Sequence, residues 1–112
     1  MLSPNPAVKF TYEDYQHTPD DKRYELLDGE LIMVPAPNLQ HQRIGIRLGA
    51  LLHVFVQERS LGEVFPAPCD VVLSNTDVVQ PDLLFVSNER AHLLLGGASV
   101  LGAPDLVVEI LS

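Results

Sequence analysis

Lysine is almost missing from this sequence, cysteine nearly so, and long apolar runs entirely. Lys9 and Lys22 are the only lysines; with the arginines they make 7 bases against 15 acids, a formal net charge of −8. A strongly acidic balance argues against a nucleic-acid binder, which ordinarily presents a basic face. Acids gathered at a metal site would account for part of the excess but not for most of it. The single cysteine, Cys69, excludes an internal disulfide and fits a reducing cytoplasm. No apolar run approaches the about 20 residues that a membrane helix needs. The stretch Met1–Pro6 has neither a basic nor an apolar region, so no signal peptide is visible. The expectation is a soluble, cytoplasmic protein with no membrane partner.

What is present describes one folded domain. The 112 residues are 46% hydrophobic and 20% charged, which is enough for a core and excludes whole-chain disorder. Residues 1–9, with two prolines, read as a flexible lead-in, and residues 10–112 as the domain. Residues 10–17 read as a short helix with Thr11 as N-cap, Asp14 three residues on, and Pro19 beyond its end.

The clearest local signal is Asp28-Gly29 between two alternating runs, Arg23–Leu27 and Glu30–Val34. It predicts a two-residue hairpin that pairs Leu27 with Glu30, Leu26 with Leu31, Glu25 with Ile32 and Tyr24 with Met33. Tyr24, Leu26, Leu31 and Met33 then share one face, and Glu25, Leu27, Glu30 and Ile32 the other. Glu25 is thereby an acid among apolar neighbours, either reaching water from the edge or belonging to a site.

From Asn38 to about Ser60 the spacing predicts the main helix, with Asn38 as N-cap and Gly62 as a stop. Leu39, Ile44, Leu48, Leu51, Leu52 and Phe55 form one apolar stripe on it. Gly45 and Gly49, four residues apart, either admit a closely packed neighbour or merely weaken the helix. His41 in its first turn is open to a structural role or a place at the site. Glu63–Phe65 and Asp70–Leu73 read as a strand pair or one bent strand, broken at Pro66 and Pro68. A turn at 74–77 and a short helix from Ser87 through Leu95 complete the pattern.

Two further runs carry the chemistry. Gln80–Val86 and Asp105–Leu111 are short and apolar on both side-chain faces, as strands covered on both sides are. Each holds an acid, Asp82 and Glu109. An unpaired carboxylate in apolar surroundings costs several kcal/mol or more, so it is normally neutralised, hydrogen-bonded or bound to a cation. Alternation puts Asp82 with Gln80, Leu84 and Val86, and Glu109 with Asp105, Val107 and Leu111. On neighbouring strands both acids can aim at one point, a setting for Mg²⁺ or Mn²⁺. The competing reading makes both acids structural, capping loops or pairing with Arg23, Arg43 or Arg47.

The segments Tyr24–Glu30, His41-Gln42-Arg43, Gly62–Phe65, Asp77–Leu83 and Ala103–Ser112 resemble, in order and spacing, the Uma-two family of the PD-(D/E)XK nuclease-like superfamily. That resemblance implies an α/β (α+β) restriction-endonuclease-like fold, a mixed central sheet flanked by helices. It implies a metal-dependent endonuclease with Asp82 and Glu109 as the core, metal-binding acids, Glu25 as an accessory catalytic acid, and DNA as partner. Two departures stand out. Leu111 occupies the position where the general motif has lysine, and the chain stops before the helix on which the family places its own. The chain therefore reads as truncated before the final helix and strand, a poor catalyst that pairs with itself through an exposed sheet edge. A non-catalytic module that keeps this fold for self-association or partner binding is the alternative.

Overall fold

The computed structural model describes residues 8–111; the lead-in expected over residues 1–9 therefore lies, apart from Val8 and Lys9, outside the described residues. The chain is α+β, with helix α1 (Tyr12–Gln16), strands β1 (Arg23–Leu27) and β2 (Glu30–Val34), and helix α2 (Leu39–Glu58) in its first half. Strands β3 (Gly62–Pro66), β4 (Val71–Ser74), β5 (Asp77–Val79) and β6 (Leu83–Ser87), a 3-10 segment (Asn88–Leu94) and strand β7 (Leu106–Val108) follow. No helix among the described residues is long and apolar enough to cross a membrane.

Local chemistry sets the first elements. Thr11 caps α1 in a full capping box with Asp14, so two otherwise orphaned backbone N–H groups are satisfied. The Asp28-Gly29 turn has φ of 48° and 77°, both left-handed, as the type I′ turn requires. Its hairpin register is the one the sequence predicts, from Arg23 opposite Val34 to Leu27 opposite Glu30. Leu26, with none of its surface exposed, and Val78 and Tyr15 then form one core.

The strands form two antiparallel sheets, β2-β1-β5-β4 and β3-β6-β7. The parallel component of the mixed arrangement is an isolated bridge between Val71 and Val100. The two runs around Pro66 and Pro68 do not pair with each other: β3 joins β6 and β4 joins β5. A second core fills the space behind β6, built from Val71, Leu84, Val86, Leu93 and Val100. The seam between the sheets falls at Gln80-Pro81-Asp82, where proline, lacking an N–H, cannot carry a ladder onward.

Helix α2 packs on a face that its apolar stripe does not predict. His41, Gly45, Gly49, Leu52 and Val56 are its most protected positions, whereas Leu39, Ile44, Leu48, Leu51 and Phe55 are exposed. The glycines bring the backbone close. A Cβ on Gly49 would lie 3.3 Å from Leu83 Cδ2, and one on Gly45 would lie 3.6 Å from Ile110 Cδ1. The helix ends through Ser60, whose φ of 51° takes the left-handed role, and Gly62 opens β3 instead.

Candidate functional site

Asp82 stands immediately before β6 and is pinned by its backbone: its N–H donates to the Val108 carbonyl (3.1 Å), and its carbonyl accepts from the Ala67 N–H (3.0 Å). Its side chain is only 16% exposed and is held on both oxygens. Oδ2 accepts from the Ile110 N–H at 2.6 Å. Oδ1 lies 3.2 Å from Nε2 of His41, itself 18% exposed. His41 is placed by the cap of α2, where the Asn38 side chain accepts its backbone N–H at 2.8 Å.

Glu109 follows β7 directly, and the ladder pairing Leu83 with Val108 sets it beside Asp82. Although the residue as a whole is exposed, its carboxyl is raised above the usual carboxylate range. Burial of the carboxyl is the largest cause, followed by the charges of Asp82 and Glu25 and a hydrogen bond with Asp82, while His41 pulls the other way. Burial and a neighbouring carboxylate both disfavour the ionised form of a carboxyl. Glu25, on β1, comes from the other sheet, and its Oε2 accepts from the Gln80 N–H at 2.7 Å. All four groups line a cleft of about 740 Å³ between the hairpin and α2.

The three acids named from the sequence thus reach one cleft, where Asp82 and Glu25 both act on the Glu109 carboxyl through their charge. Among the described residues, no group of three or more His, Cys, Asp or Glu side chains is arranged to hold a metal ion. Asp82 does not follow the alternation predicted for it. Leu84 and Val86 enter the core behind β6 while Asp82 meets α2, because Pro81 breaks the pleat before it. Glu109 is likewise outside its strand, and β7 is not covered on both faces: Leu106 and Val107 are about half exposed. None of Arg23, Arg43 or Arg47 pairs with either acid among the described residues. The capping half of the competing reading is nonetheless real, since Asp82 does cap the Ile110 N–H.

Gln80 is the residue that sequence reasoning passed over. Its backbone holds Glu25, its Oε1 accepts from Arg23 Nε (2.8 Å), and its Nε2 donates to Asp70 Oδ1 (2.8 Å) and to the Tyr15 hydroxyl oxygen (3.0 Å). Tyr15 in turn donates to Asp70 at 2.6 Å, and burial together with that carboxylate pushes its hydroxyl well above the usual tyrosine range. The available signal was a polar side chain fixed beside Pro-Asp at the end of an apolar run.

Against known proteins the geometry has company. The crystal structure described as that of a putative nuclease belonging to DUF820 from Anabaena variabilis ATCC 29413 superposes with a TM-score of 0.74 at 19% identity, covering 92% of this chain. The chain spans 59% of that protein's length, and the likeness shows a shared fold. No curated protein matches the chain. Residues 11–112 match the family described as "Uma2: Putative restriction endonuclease". With nearly its whole length matched, the chain belongs to the Uma2 family.

Proposed function

We propose that residues 10–112 are a metal-dependent, nuclease-like unit whose parent protein hydrolyses nucleic-acid phosphodiesters, in the reducing cytoplasm that a free Cys69 suits. The observation that carries the reading is the juxtaposition of Asp82 and Glu109 at the end of the β6–β7 ladder, in a cleft that Glu25 also lines. Such a pair is costly when left alone, and a cation compensates it. The donor set is hard and oxygen-rich, which suits Mg²⁺ or Mn²⁺ completed by water rather than a closed cage of side chains. Asp82 and Glu109 would hold the ion. When bound, it supplies Lewis-acid stabilisation of charge on a phosphodiester and acidifies coordinated water.

The chain's own residues have separable tasks. The Ile110 N–H orients Asp82, and His41 shields the outer oxygen of that carboxylate from bulk water. Glu25, tied to the Gln80 N–H and lining the same cleft, would accept a proton from an attacking water. Calorimetric titration with Mn²⁺ tests the reading: saturable binding by the wild type that disappears in Asp82→Ala is expected. No binding by the wild type overturns it.

One observation favours a second reading, a non-catalytic module that associates with itself. Leu111, where the general motif has lysine, is 93% exposed, and on the outer strand β7 Leu106 and Val107 are about half exposed, an apolar surface on a strand open to pairing. Sedimentation of the purified chain tests it, with a concentration-dependent dimer expected.

A further inference from the structure

We infer that Arg23 is the phosphate-binding group of the cleft, presented by a brace of Gln80, Asp70 and Tyr15; this rests on the nuclease-like reading above. Among the described residues lining the cleft, Arg23 is the only lysine or arginine. It shares the strand β1 with Glu25, two residues away, so both side chains leave the sheet on the same side. Both are held by the same residue: Gln80 takes Arg23 Nε on its side-chain oxygen and Glu25 on its backbone N–H.

The brace has only one chemically sensible orientation. Gln80 Nε2 faces the Asp70 carboxylate and the Tyr15 oxygen, so Oε1 must face the guanidinium. The reversed amide would set two acceptors against each other at Asp70 and two donors against each other at Arg23. Asp70 is in turn fixed by the Tyr15 hydroxyl. The chain Tyr15–Asp70–Gln80–Arg23 therefore runs from the core of the first sheet to the cleft wall.

Only Nε of the guanidinium is spent in this way. Arg23 makes no ion pair among the described residues, and no other hydrogen bond from its side chain occurs there. The remaining Nη1 and Nη2 donors form the fork that matches two phosphate oxygens end-on. A fixed guanidinium with its outer donors unspent, beside three carboxylates, gives a polyanion the compensation that a net charge of −8 otherwise denies it. The ligand class is a nucleic-acid backbone phosphate, and Gln80 is a positioning residue for it.

The test is fluorescence anisotropy of a short fluorescein-labelled DNA duplex with the full chain, in Ca²⁺, an oxygen-liganded cation, across a NaCl series. Arg23→Gln is expected to weaken binding about tenfold, as loss of a charge-assisted hydrogen bond does. It should also flatten the dependence of log affinity on log salt by about one phosphate contact. Arg23→Lys, also the safeguard should the glutamine variant fail to fold, should restore the salt slope but not the full affinity. Calorimetric Mn²⁺ binding should be unchanged in both. Unchanged affinity and slope in Arg23→Gln, with Mn²⁺ still bound at Asp82, overturns this inference and leaves the nuclease-like reading standing. A wild type that takes up neither Mn²⁺ nor duplex overturns both.

Discussion

Asp82 serves the fold as well as the site, and two substitutions separate the roles. Asp82→Ala removes the acceptor of the Ile110 N–H, a short bond of 2.6 Å to a side chain only 16% exposed. Loss of a hydrogen bond to a charged, partly buried group costs about 1.5–3 kcal/mol. The same change relieves the repulsion felt by Glu109, but that residue is exposed and screened, so the relief is worth no more than about 1 kcal/mol. The bond wins. Asp82→Ala should lose about 1–2 kcal/mol, or about 4–8 °C in Tm for a domain of this size. Asp82→Asn keeps an acceptor oxygen for Ile110, and its loss of the His41 contact is offset by removal of the charge facing Glu109, so it should melt within about 1 kcal/mol of the wild type. Thermal denaturation followed by far-ultraviolet circular dichroism, with divalent ions chelated, reads both. The reasoning is refuted if the alanine variant melts as high as the wild type, or if the asparagine variant falls as far as the alanine one.

Glu109 carries a sign that can be checked by pH. Its folded-state pKa is raised, so its stabilising contribution is complete below the unfolded value of about 4.3 and is lost as pH rises through the folded value. Ion-free Glu109→Gln should therefore melt above the wild type at about pH 7 and lose that advantage at about pH 4, the unfolded range of a glutamate; equal shifts at both would exclude the burial and repulsion that raise it. Gly45→Ala, with ordinary contact distance to Ile110, should gain about 0.5–1 kcal/mol in urea denaturation through helix propensity. Gly49→Val should lose about 1–3 kcal/mol, because its first carbon already presses on buried Leu83. Leu26→Ala, at a position with no exposed surface, should cost about 2–5 kcal/mol by the same assay.

Local signals in this chain were legible because local physics decides them. Asp28-Gly29 fixes a turn whatever surrounds it, and the hairpin register follows from the turn. Asn38 and Thr11 mark helix starts because each satisfies N–H groups within its own next turn. The face of α2 was not legible, since which side of a helix is buried depends on what it meets. Here the partner comes close at the two glycines, within ordinary contact of a Cβ at Gly45 and tighter than that at Gly49, so an apolar stripe facing outward coexists with a packed face built around them. The acids were visible as exceptions within apolar runs, but their geometry was not. Pro81 moves Asp82 out of the pleat, so counting by twos fails at the residue where the two sheets part. That break is also what makes the site possible. A strand continuing unbroken through Asp82 would carry its carboxylate toward Leu84 and the second core; interrupted there, the chain turns it toward His41, Glu109 and the cleft. Gln80, one residue before the break, is left with its N–H unclaimed by a ladder, and it is this freed donor that reaches across to Glu25.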